Sequence, residues 1–242
     1  MTRIEEQTED QNQAENIVNC AKIINHLNSI RHSLPTAIES PDSRQIFLRG
    51  LQKDISSFAS WWNIFLHLRE KVNHSELPTI LCRPEDPLEK TLYEMDSFTK
   101  SALQTSTHFH IENLFYSLLV ILDSSKSRIR GYENITKTLF EKITLHSSPK
   151  EILLELKVLS GIRNSFHNNG IHKNVNFSVT INAISYEFTK DAPVFCASTS
   201  DTINLLERYT EILQEILSTP EIASITTDIP DKYGGMIEPA FK

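Results

Sequence analysis

Apolar side chains recur at helical spacing along most of this chain and at strand spacing in one short stretch, and that single change of period limits the fold more than any other feature. Ile17, Ala21, Ile24, Leu27 and Ile30 follow the helical pattern until Pro35 ends the run. The turn SPDSR, Ser40 to Arg44, supplies capping residues for a second helix expected over about 42–73, in which Trp61 and Trp62 are core anchors. A proline-rich link over about 75–87 leads to a long third helix, about 88–123, and the basic connection SSKSRIRG to a shorter one, about 132–144. SSPKE starts the next, about 149–168, with a serine cap, then proline and an acid in the first turn, and Gly170 is its left-handed terminator. The period then changes. Val175, Phe177, Val179 and Ile181 alternate with polar residues, and Ile184, Tyr186 and Phe188 do so again beyond Asn182 and Ala183, which predicts a β-hairpin over about 174–189. A last helix is expected over about 200–218, closed by Pro220. The expected fold is therefore all-α, an up-and-down helical bundle with a small β-hairpin before its final helix.

A chain of 242 residues buries one substantial core, and its 6 glycines are too few for an all-β protein rich in turns. One domain is expected over about 13–218, between a disordered acidic tail at about 1–12 and an extension at about 219–242. No apolar run is long enough to span a membrane. The start MTRIEEQTEDQNQ lacks the basic head and apolar centre of a signal peptide, so a soluble, cytoplasmic protein is expected. Cys20, Cys82 and Cys196 are far apart and odd in number, which fits neither a disulfide framework nor a zinc-ligand spacing and points to buried reduced thiols.

The net charge of −7 argues against a surface coated with phosphate-binding residues, but the charge is uneven. Residues 126–173 hold nine bases against four acids. That basic region contains GIRNSFHNNG, Gly161 to Gly170, an unusually polar ending for a helix that begins EILLELKVLS. With Ile152 at 0° on a helical wheel, Leu156, Leu159 and Phe166 fall within about 40° of it, Arg163 at about 20° and His167 at about 60°. An arginine on an apolar stripe demands an anionic partner. The third helix offers one, because His108 and Glu112 share the stripe of Phe115, Leu119 and Leu122. Two readings stay open: a buried Arg163–Glu112 ion pair with His167 nearby, or a site lined by these groups. HFH at 108–110 puts its imidazoles about 200° apart, so they cannot chelate one metal together, and no HExxH-type pattern, glycine-rich phosphate loop or GxSxG elbow is present.

Arg163, Asn164 and His167 in the setting RNSFHNNG, ending a late helix and followed by a β-hairpin, resemble the HEPN superfamily (higher eukaryotes and prokaryotes nucleotide-binding). The resemblance covers about 88–218. It departs from the family pattern in one respect, a gap of three residues between Arg163 and His167 where the family has more. It implies a metal-independent RNA endonuclease without cofactors, acting as a homodimer on RNA in a defence or toxin–antitoxin role, with an antitoxin or regulatory protein as a further partner. On that implication His167 is the general acid or base at the ribose 2′-hydroxyl, Arg163 stabilises the phosphate, and Asn164 orients one of them. Glu112 is added from the wheel as the group that orients Arg163. The product would be a 2′,3′-cyclic phosphate. The alternative is a catalytically inactive HEPN-like module that binds RNA or protein.

Overall fold

The computed structural model describes residues 3–71, 88–194 and 198–231. The link at 75–87, Cys82, Cys196 and the end of the chain from 232 lie outside the described residues. The chain forms α1 (Arg3–Ser33), α2 (Ser43–Lys71), α3 (Leu88–Leu122), a 3₁₀ turn (Ser124–Lys126), α4 (Tyr132–Phe140), α5 (Pro149–Phe166), β1 (Phe177–Ile181), β2 (Ile184–Phe188), α6 (Thr199–Leu217) and α7 (Pro220–Ala223). The protein is thus mostly helical with one two-stranded antiparallel sheet. Among the described residues no helix is long and apolar enough to cross a membrane.

Two ends differ from expectation. α1 starts at Arg3, inside the segment expected to be disordered. Glu5, Glu6, Gln7, Glu9 and Gln11 are good helix formers, which favours extending a helix nucleated further along the chain. Pro220 does not simply close α6. It stands at the first position of α7, where its missing N–H is no loss.

α3 lies at the centre, packed against α2, α4, α5 and α6, while α1 packs on α2 and α6. Leu27 of α1, Leu48 and Ile55 of α2, Leu114 and Leu118 of α3, Ile152 and Ile162 of α5, and Ile212 and Leu213 of α6 are all fully buried. Each such side chain contributes roughly 1.5–3 kcal/mol on leaving water. Cys20 is buried as expected, and burial pushes its thiol up to about 11, so it stays protonated and inert. Trp62 is buried and stacked on Phe58, whereas Trp61 is only half-buried.

The hairpin turns on Asn182 and Ala183, both left-handed with φ of 48° and 68°, so that Ile181 pairs with Ile184 and Phe177 with Phe188. Val175, expected in the first strand, precedes it and is 73% exposed. The inner face of the hairpin meets α5. There Gly161 has a purpose: a Cβ on it would stand 2.7 Å from the Phe188 ring. That ring cannot easily retreat, being 1% exposed and stacked 4.3 Å from Phe177. We expect Gly161→Ala to lose about 1–3 kcal/mol in chemical denaturation despite the better helix propensity of alanine. A stabilised variant would show that the hairpin is free to shift.

Candidate functional site

Among the described residues, one face of α3 has no helix over it. Phe98, Ala102, Thr105, Phe109, Glu112 and Tyr116 recur along this face and line an open groove of about 1220 Å³. Asp54 of α2 lines one side. Arg130 and Ile135 from the α4 region, with Arg163 and Phe166 of α5, line the other. Phe98, Phe109 and Phe166 all keep large exposed areas. These three aromatic rings make the groove a partly exposed apolar patch.

Arg163 and Glu112 both face this groove but do not form the expected ion pair. Glu112 lies beside His108, with its Oε2 3.6 Å from His108 Nε2, and is not the group that orients Arg163. Burial first, and the Arg163 charge second, depress the His108 imidazole to about 4. His108 is therefore neutral near pH 7, and its contact with Glu112 is no salt bridge there. The ring fills the core instead, 4.6 Å from the Tyr132 ring. The reason is geometric: from the buried stripe of α3 the imidazole, one turn before Glu112, reaches the carboxylate first.

Arg163 is half-buried. Its Nη1 donates to Asn164 Oδ1 at 3.2 Å, and its guanidinium carbon stands 5.3 Å from the centre of the Phe109 ring. Its Nε is buried without a hydrogen-bond partner. Among the described residues no carboxylate pairs with it. A cation over an aromatic face gains roughly 0.5–2 kcal/mol, less than an arginine loses in leaving water unpaired. The arrangement therefore has capacity for an anion.

The remainder of GIRNSFHNNG divides into distinct tasks. Ile162 and Ser165 are buried in the packed side of α5. Phe166, expected on the apolar stripe, instead lines the groove, because the last turn of α5 meets open space there. His167 is the exposed C-cap and does not line the groove. Asn168 donates from its side chain to the Asn164 carbonyl, Asn169 and Gly170 take left-handed φ of 53° and 81°, and Gly170 N–H closes on the Ser165 carbonyl at 2.8 Å. The two asparagines thus serve helix termination, as expected of Gly170. His172, beyond the helix, is 2% exposed and packed edge-on against both Phe177 and Phe188.

The HFH histidines face opposite ways, as the wheel required. His110 points to α2, where its Nε2 lies 3.1 Å from Asp54 Oδ2. Ser106 Oγ donates to the same oxygen. Burial alone would raise the Asp54 carboxyl, but the hydrogen bonds from His110 and Ser106, with the charges of His110 and Lys53, hold it below the usual range. All three residues line the groove. This cluster was missed in the sequence, though one signal for it exists: Gly50 sits inside α2, where glycine costs about 1 kcal/mol, and a Cβ there would lie 2.7 Å from the His110 ring. No set of three or more His, Cys, Asp or Glu among the described residues is placed to hold a metal ion. Compared with models of protein families, with curated proteins and with solved structures, the chain matches none.

Proposed function

We propose that the groove takes single-stranded RNA and that the protein is an HEPN-like, metal-independent endoribonuclease. The observation that carries this reading is Arg163, a half-buried cation without a carboxylate partner among the described residues, set beside exposed aromatic rings in an open groove. Arginine for phosphate and aromatic faces for unstacked bases are the two components of single-strand recognition. Arg130, exposed and bonded only to backbone carbonyls, adds a second cation on the same side.

On this reading Arg163 receives the scissile phosphate and Asn164 fixes its guanidinium. His167, at the end of α5 beside Phe166, takes the proton of the 2′-hydroxyl, whose oxygen attacks phosphorus and leaves a 2′,3′-cyclic phosphate as the 5′-oxygen departs. Glu112 stays with His108. The homodimer and the defence or toxin-like role belong to the same proposal and rest on the resemblance of RNSFHNNG alone. One observation favours a second reading, binding without cleavage: His167 stands outside the groove lining.

Labelled single-stranded RNA in EDTA, mixed with the wild type, Arg163→Met and His167→Ala, tests the proposal. The wild type should cleave and both variants should not. Arg163→Met should weaken binding roughly tenfold and lower the slope of log affinity against log salt by about one. Because its charge is uncompensated, the same substitution should leave the thermal midpoint unchanged or raise it. RNA retarded but uncut by the wild type supports the binding module. RNA neither bound nor cut, or an Arg163→Met protein that unfolds, overturns the reading of the groove.

A further inference from the structure

Cleavage of RNA by its own 2′-hydroxyl needs two proton transfers: one off the attacking oxygen, one onto the departing 5′-oxygen. A single histidine at the end of α5 accounts for the first. Another histidine, His110 of α3, does line the groove, and its surroundings are those of a fixed proton carrier. His110 Nε2 is held by Asp54, whose carboxylate is itself fixed by Ser106. Gly50 makes room for the ring against the backbone of α2, and Phe47 meets it edge-on with centroids 6.0 Å apart. His110 and Asp54 retain 16% and 30% side-chain exposure, enough to meet a ligand. Nδ1 has no hydrogen-bond partner among the described residues. A carboxylate on one imidazole nitrogen fixes the tautomer and steadies the protonated ring, and leaves the other nitrogen to exchange a proton.

We propose that His110 is the general acid of this groove, with Asp54 as its positioning residue. The inference rests on the cleavage reading above. In the step it describes, the 2′-oxygen forms a bond to phosphorus as His167 takes its proton, and the bond from phosphorus to the 5′-oxygen breaks. His110 gives its Nδ1 proton to that oxygen. The products are a 2′,3′-cyclic phosphate and a free 5′-hydroxyl, and no other reactant is required. Lys53 of α2 adjoins Asp54, and Arg163 and Glu112 line the same groove from α5 and α3. The protonated imidazole thus has Asp54 as its direct counter-charge.

The test uses two RNA substrates, one with the ordinary 5′-oxygen and one with sulfur in its place at the scissile bond, a leaving group that departs without a proton. His110→Gln should cleave the oxygen substrate roughly 10²- to 10⁴-fold more slowly than the wild type and the sulfur substrate at close to the wild-type rate. Asp54→Asn should show the same pattern in weaker form. His167→Ala should be slow on both, since the base is needed for each. Rescue on sulfur also shows that the variant is folded. A His110→Gln protein as fast as the wild type on oxygen, or equally slow on both substrates, removes His110 from the reaction and leaves the proposed function standing. A wild type that cuts neither substrate removes both.

Discussion

Replacing Arg44 by Met should lower stability by about 3–5 kcal/mol, since the partner left behind is a buried carboxylate stripped of its cation. Arg44 and Asp42 are both 0% exposed. The guanidinium grips the carboxylate through two bonds, Nε to Oδ1 at 2.9 Å and Nη2 to Oδ2 at 2.8 Å. Asp42 also accepts the backbone N–H groups of Arg44 and Ile229, while Arg44 Nη1 donates to the Ile225 carbonyl. One pair thus caps the start of α2 and ties the segment after α6 to it, an antiparallel bridge between Asp42 and Pro230 completing the join. For a chain of this size the loss corresponds to a fall of roughly 10 °C in the thermal midpoint. The double variant Asp42→Asn/Arg44→Met should recover a good part of it, because the stranded charge is gone. Single and double variants of equal stability would show that the carboxylate is not buried in solution.

The second large effect is acid sensitivity through His108. Its imidazole is pulled from 6.5 to about 4 by burial, reinforced by the Arg163 charge. Between those values the unfolded chain binds a proton that the folded one refuses, so stability falls as pH drops from about 6.5 to about 4 and the loss is complete below that. The full contribution is roughly 3 kcal/mol. The groups facing the ring are Glu112 on α3, Arg163 on α5 and the Tyr132 ring on α4. Urea denaturation of the wild type and His108→Leu at pH 7 and pH 4.5 should show the wild type losing roughly 2–3 kcal/mol more than the variant. Arg163→Met should lose less than the wild type, since one of the two causes is removed. Parallel losses in wild type and His108→Leu would place the acid response elsewhere.

These two effects differ in how visible they are in the sequence. SPDSR can be recognised as a turn with capping residues, and Asp42 does cap α2. That Arg44 reaches carbonyls near residue 225 cannot be seen from any window, because nothing local encodes a contact across that separation. The same divide runs through the groove. The wheel set Arg163 apart from an ordinary surface arginine, and the structure leaves it half-buried with a buried Nε. Pairing it with Glu112 failed because a wheel gives directions about one axis and says nothing of which neighbour is reached first. Phe166 and His167 were assigned to the apolar side from the same wheel, yet both are exposed, since a helix's last turn has no apolar side where no neighbour stands.

What the sequence determined by itself is what short-range physics controls. The period of the apolar residues set the helices and the hairpin. Asn182 and Ala183 set its turn, and Asn168, Asn169 and Gly170 the closure of α5. Tertiary structure alone decided which faces meet. Among the described residues it left one face of α3 uncovered, brought Asp54 to His110 from 56 residues away, and stood Arg163 beside Phe109 with no carboxylate to answer it. Backbone dihedrals and caps are fixed by residues within a turn of one another, whereas a groove exists only where two helices diverge over a third.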